Sequence, residues 1–144
     1  MADVGLPDLI PEESAGLRRQ LTAKKIHLIH LVAPTTPLAR QWRVAKLTGG
    51  FLYAVSVAGV TGARRALPVE TKSWLRRLRS KCRRPVCVGF GISGPEQVRH
   101  LRAAVDGFIV GSAFVDILRK NKPRRRSGAM RKFVRALSKE CSYE

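Results

Sequence analysis

The sequence predicts an α/β fold built on a parallel sheet. Short apolar runs start near Ala2, Ile26, Phe51, Val86 and Gly107, and each is followed by a segment with apolar residues at helical spacing. The clearest run, Ile26–Val32 (IHLIHLV), is nearly continuous rather than alternating, as in a parallel strand covered on both faces. Two architectures use such a βα repeat, an open doubly wound sheet and a (βα)8 barrel. A complete barrel takes about 250 residues, so a chain of 144 residues holds at most five of its βα units.

Length and composition bound the rest. One domain, 1–144, is expected, with a hydrophobic share of 44%. No run of 18 apolar residues is present, so no transmembrane helix and no membrane partner are expected. The start, MADVGLPDLIPEES, is acidic and has no apolar signal core, which points away from secretion. Cys82, Cys87 and Cys141 are an odd number without metal-ligand spacing, which reads as reduced cytoplasmic thiols and no metal. The net charge of +18 would support binding to nucleic acid through counterion release. Most of it falls on polar faces of helical segments, as with Arg76, Arg77, Arg79 and Lys81, and reads as solvated surface. The exception is the run Arg119–Arg126 (RKNKPRRR), a dense basic connector that resembles a nuclear-import signal or a polyanion-binding segment.

Taken in order, Ala2–Leu6 reads as a strand stub, and the close prolines Pro7 and Pro11 make a loop. Glu12–Leu21 reads as a helix with acids at its start and Arg18 and Arg19 near its end, as the helix dipole prefers. Strand Ile26–Val32 is stopped by Ala33–Pro37, and a helix then carries Leu38, Trp42 and Ala45 on one face until Gly49-Gly50. Strand Phe51–Val57 leads into Ala58–Arg65, long and polar enough for a mobile lid. A helix over Val69–Arg83 places Trp74, Leu75, Leu78 and Cys82 on one side. Strand Val86–Gly89, helix Gln97–Val105, strand Gly107–Val110 and a further helix after Gly111-Ser112 follow. Beyond the basic connector, a C-terminal helix at about 129–140 aligns Met130, Phe133, Val134 and Leu137 as a core-facing stripe.

Glycine-centred loops follow successive strands at Gly59–Gly62, Gly89–Gly91 and Gly111-Ser112. Backbone N–H groups after adjacent parallel strands can converge on one phosphate, and Gly111-Ser112 opens a helix. The wording of these loops is distinctive: Gly59-Val60-Thr61-Gly62-Ala63, Gly89-Phe90-Gly91-Ile92-Ser93 with Pro95-Glu96-Gln97, and Val110-Gly111-Ser112-Ala113. Together with Pro7-Asp8-Leu9, Glu12-Glu13-Ser14, Leu31–Pro37 (LVAPTTP) and Gly50-Phe51-Leu52-Tyr53, they resemble the tryptophan synthase alpha chains, collinearly from near residue 4 to about residue 118.

That resemblance implies a partial (βα)8 TIM barrel of about five parallel βα units, running from about strand 4 to strand 8. It also implies aldol cleavage of indole-3-glycerol phosphate to indole and glyceraldehyde 3-phosphate, in tryptophan biosynthesis. Gly62, Gly91, Gly111 and Ser112 would hold the substrate phosphate, Thr61 would sit on the closing lid, and Tyr53 and Leu31 would face the substrate pocket. No cofactor is implied for this chain, since pyridoxal phosphate belongs to the beta chain that would be its partner. The family's catalytic Glu and Asp belong to the portion before the match, so no catalytic residue is assigned and the chain alone is expected to be inactive.

The other ionisable groups carry less. Asp8 follows the first strand, but its motif match gives it no acid role. Glu12, Glu13, Glu70 and Glu96 begin helices, where the dipole explains them. His27 and His30 point to opposite faces of one strand, His100 lies among arginines on a helix, and no base stands near Cys82 or Cys87 to activate a thiolate. A half-barrel has unpaired edge strands, so self-association or a complementing N-terminal half is expected. The alternative reading, a non-catalytic basic nucleic-acid-binding protein derived from the fold, rests on charge and the 119–126 run alone. It has no stacking aromatics or RNA motif behind it, and no nucleic-acid partner is expected.

Overall fold

The nearly continuous apolar run Ile26–Val32 forms a strand, and the sheet grows from it on both sides. The computed structural model describes residues 2–7, 9–55, 69–89 and 91–141. Strands β1 (Ala2–Gly5), β2 (Ile26–Val32), β3 (Leu52–Val55), β4 (Val86–Gly89) and β5 (Gly107–Ile109) pair in the order β1-β2-β3-β4-β5, every neighbouring pair parallel. The helices are α1 (Ala15–Ala23), α2 (Leu38–Leu47), α3 (Val69–Lys81), α4 (Pro95–Leu101), α5 (Ser112–Lys120) and α6 (Pro123–Cys141). Right-handed crossovers in a sheet whose order never reverses put the connecting helices on one face. A doubly wound sheet needs a reversal and this sheet has none, so the chain is a curled half-barrel.

The register sorts side chains between the faces. His30, Leu52 and Val86 lie side by side, as do Val32, Ala54 and Val88, and all of these are buried. They meet Val44 of α2, Trp74, Leu75 and Leu78 of α3, and Val98 and Leu101 of α4 in one core. On the opposite, concave face Leu31, Tyr53, Cys87 and Gly107 share a row, each only half-buried. Burial on both faces of β2 is therefore confined to Leu28–His30, and Leu31 departs from the expected double cover.

Asp106 fastens the last two strands. Its Oδ2 accepts the Val86 N–H at 2.8 Å, its own N–H donates to the Val86 carbonyl at 2.8 Å, and its Oδ1 accepts from Arg79 Nε at 2.8 Å. On the other side, β2 is held by a buried polar group. The His30 N–H donates to Thr48 Oγ1 at 3.0 Å, and His30 Nε2 lies 3.4 Å from Ser14 Oγ.

Several element boundaries differ from the sequence reading. The helix expected at Glu12–Leu21 is a 3-10 turn, Pro11–Glu13, followed by α1. The break is at Ser14, whose hydroxyl and backbone N–H both donate to the Pro11 carbonyl, at 2.6 and 3.3 Å. Helix α2 buries Gln41 and Val44, and Leu38 is 50% exposed, because Gln41 Oε1 accepts from Trp74 Nε1 at 3.0 Å and turns the helix toward α3. Helix α4 starts at Pro95, earlier than the expected Gln97, with proline at a first-turn position where its missing N–H costs nothing. The basic run is not a connector over 119–126: Arg119 and Lys120 end α5, and Arg124–Arg126 already belong to α6, which starts at Pro123 rather than near 129. Of the α6 stripe, Phe133 meets Phe114 edge-on at 5.4 Å between ring centroids and Leu137 packs against the core, while Val134 is 44% exposed. Ser56 and Val57 of the expected third strand lie outside the described residues.

Burial, and then the Arg18 guanidinium, hold the His30 imidazole below its ordinary value of 6.5, with Glu12 opposing. A histidine with a depressed folded-state pKa takes up its proton first in the unfolded chain, so the stability it supports is present above about pH 6.5 and is lost as pH falls below that value. Urea midpoints are expected to fall between about pH 7 and pH 5.5, with a His30 share of at most about 1.4 kcal/mol per pH unit. His30→Asn should flatten this slope, and an unchanged slope would remove His30 as its source.

Candidate functional site

The C-terminal ends of β4 and β5 carry the candidate site. Gly91, just beyond β4, has φ +77°, the left-handed region that glycine adopts without strain. Gly111 is the N-cap of α5 and Ser112 its first residue. The N-cap is a glycine, so it supplies no side-chain cap. The Phe114 and Val115 N–H groups bond back to the Gly111 carbonyl at 2.9 and 3.3 Å, so the amides of Ser112 and Ala113 are the ones left for a ligand. An anion is the partner that such a terminus favours, through both its N–H groups and the helix dipole.

A cavity of about 210 Å³ lies in front of this terminus, lined by Tyr53, Gly91, Ile92, Ile109, Gly111 and Ser112. It has an anion-accepting end at Gly111-Ser112 and an apolar wall of two isoleucines and the Tyr53 ring. Tyr53 projects from β3 onto the concave face beside Gly89, where an added Cβ would overlap its hydroxyl and ring edge. Burial pushes the Tyr53 phenol above its ordinary range, so it stays protonated at neutral pH. At Gly111, which lines the cavity, an added Cβ meets nothing within 4 Å among the described residues.

The structure thus brings Gly91, Gly111, Ser112 and Tyr53 together. Leu31 pairs with Tyr53 in the β2–β3 register but lines an adjoining cavity of about 220 Å³, beneath Pro7 and Pro11. Thr61 and Gly62, with the rest of the expected lid, lie outside the described residues, as do Asp8 and Phe90. Ile92 and Ile109 are pocket residues that the sequence reading passed over. Ile109 was accessible from strand alternation, whereas the inward turn of Ile92 follows from the backbone at Gly91.

No carboxylate lines the cavity among the described residues. Glu70 and Glu96 stand in the first turns of α3 and α4, and Glu12 pairs with Arg40 at 3.1 Å. His27 and His30 do face opposite ways: His27 Nδ1 meets Asp3 at 2.9 Å, while His30 is buried toward Ser14. His100 is exposed. The Cys87 thiol is pushed up by burial and then by the Asp106 carboxylate, away from thiolate reactivity. Among the described residues no group of three or more His, Cys, Asp or Glu side chains is placed to hold a metal, and no helix is long and apolar enough to cross a membrane.

A family model described as tryptophan synthase alpha chain matches residues 2–142. The tryptophan synthase alpha chain of Rhodopirellula baltica is 49% identical over 110 residues, covering 76% of this chain and 40% of the relative. That of Gloeobacter violaceus is 44% identical over 135 residues, covering 93% of this chain and 49% of the relative. Among solved structures, the tryptophan synthase complex of two alpha and two beta chains from Pyrococcus furiosus aligns with a TM-score of 0.84 at 34% identity, covering 96% of this chain and 56% of the matched one. The chain spans about half the length of the curated relatives it matches.

The close approach of Tyr53 to Gly89 generates a prediction. Gly89→Ala forces the ring from its place and should cost about 1–3 kcal/mol in urea unfolding. Combined with Tyr53→Ala, the loss should be smaller than the two single losses added. Additive losses would show that the two residues do not share this contact.

Proposed function

The chain belongs to the tryptophan synthase alpha chain family, and on that premise we propose that it supplies the phosphate-holding half of a site that cleaves indole-3-glycerol phosphate to indole and glyceraldehyde 3-phosphate. The observation that carries this reading is the uncapped N-terminus of α5, opening into a small cavity with Gly91 opposite and Tyr53 above. The substrate phosphate takes the Ser112 and Ala113 amides and the Ser112 hydroxyl. The glycines leave room for its oxygens, and the isoleucines and Tyr53 cover the carbon skeleton. Gly62 and Thr61 complete the phosphate clamp and its lid in this reading.

Carbon–carbon cleavage of this substrate needs one group to protonate the indole ring and another to take a glycerol hydroxyl proton. The cavity wall offers glycine, serine, isoleucine and a protonated tyrosine for these tasks, and none is a carboxylate. We assign both steps to a Glu and an Asp on βα units outside these 144 residues, and binding to the residues within them. The product indole then passes to a beta chain carrying pyridoxal phosphate, in the cytoplasm. The two-alpha, two-beta assembly of the Pyrococcus furiosus relative supports that partner.

Calorimetry with glycerol 3-phosphate tests the site. The chain should bind it, and Gly111→Asp, which points a carboxylate into the phosphate position, should not. Equal binding by both would remove the site. Incubated alone with indole-3-glycerol phosphate the chain should release no indole, and adding the N-terminal half of the Rhodopirellula baltica relative should restore release. Turnover by the chain alone would place the missing acid and base within it.

A further inference from the structure

A larger cavity opens at the other end of the sheet. It lies between the C-terminal ends of α2 and α3, just before β3 and β4, and has a volume of about 710 Å³. Its floor is Trp42, Ala45 and Cys82, all partly buried against the core. Its rim carries Lys46, Lys81, Arg83 and Arg84, and among the described residues no carboxylate lines it.

The helix dipoles account for part of this charge, because Lys46 and Lys81 stand in the last turns of α2 and α3. They do not account for Arg83 and Arg84, which follow the end of α3 and line the same cavity. Asp106, an acid in the connection before β5, is already taken by Arg79 at 2.8 Å. Lys81 Nζ sits 5.3 Å from the centroid of the Trp42 ring, which holds one cation at the cavity floor. Gathering like charges around one concavity is unfavourable unless an anion completes it, and a concave site focuses the field on that anion. The volume falls within the roughly 300–1,000 Å³ of small-molecule sites and is more than three times that of the cavity at Gly111.

We propose that this cavity between α2 and α3 is a polyphosphate site, taking a chain of phosphates as a nucleoside triphosphate or free triphosphate carries it. The guanidiniums of Arg83 and Arg84 grip phosphate oxygens in the forked geometry that arginine offers, and Lys46 and Lys81 neutralise the remaining charge. The site is independent of the phosphate position at α5, since the two lie at opposite ends of the strands.

The test uses the full chain carrying Gly111→Asp, so that the α5 site takes no part. Calorimetry with inorganic triphosphate should give one binding event, and Arg83→Gln with Arg84→Gln should weaken it by about tenfold or more. Arg124→Gln with Arg131→Gln removes the same charge from exposed positions on α6 and should change affinity less than about threefold. ATP binding tighter than inorganic triphosphate assigns the Trp42 floor to the base, and equal affinity assigns the site to phosphate alone; adenosine should not bind. No binding of triphosphate, or equal weakening by the two double variants, would overturn the proposal. All the substituted arginines are exposed, and matching urea midpoints verify that the variants fold.

Discussion

The Asp106 carboxylate joins the start of β4, the start of β5 and the last turn of α3, and the geometry of the candidate site depends on that join. Strand β5 has only three residues, so its ladder with β4 supplies few hydrogen bonds of its own. The bonds between Asp106 and Val86 set the register at the base of the pair, and the register carries Gly89 opposite Ile109 at its top. Gly91 and Gly111 therefore emerge side by side. A shift of one residue would turn every side chain of β5 to the other face and separate the two halves of the candidate site.

How much of this was legible in the sequence varies by element, and the reasons are physical. Strand β2 was legible because a nearly continuous apolar run has few alternatives, and the start of α5 at Gly111-Ser112 because glycine and serine suit a helix N-terminus. The face of α2 was not: its burial centres on Gln41, through a bond to Trp74 from a helix 33 residues away, which no local periodicity records. The break at Ser14 arises from a hydroxyl competing for a backbone carbonyl, a local bond that a helical pattern hides. The basic run at 119–126 looked like a connector because charge obscured the proline that starts α6. Periodicity alone left barrel and doubly wound sheet open, because strand order belongs to the whole sheet; the collinear loop motifs chose the barrel, and the unreversed strand order agrees.

The concave face follows a packing rule of its own. Tyr53 lies against Gly89, and an added Cβ at Gly107 would come within 2.9 Å of Cys87 Sγ. Large side chains on one strand thus fill space vacated by glycine on the next, as the tapering interior of a small barrel requires. The same arrangement holds Tyr53 at the wall of the candidate cavity. Packing on this face draws on Gly89 and Gly107, and the candidate site on Gly91 and Gly111, which is why substitution at Gly89 and at Gly111 should have such different effects: the first displaces the Tyr53 ring and the second leaves the described protein atoms in place.

Cys87 gives this inner face a built-in chemical clock. Its thiol stands in the concave row between Tyr53 and Gly107, half-buried, with its proton held on by burial and by the neighbouring Asp106. Alkylation there is slowed by two separable factors, the scarcity of thiolate and the access of reagent. Burial, and then Asp106, set the first within this chain. The second changes with whatever covers the concavity, so the rate at which a small electrophile consumes Cys87 reads out how fully the half-barrel has been closed.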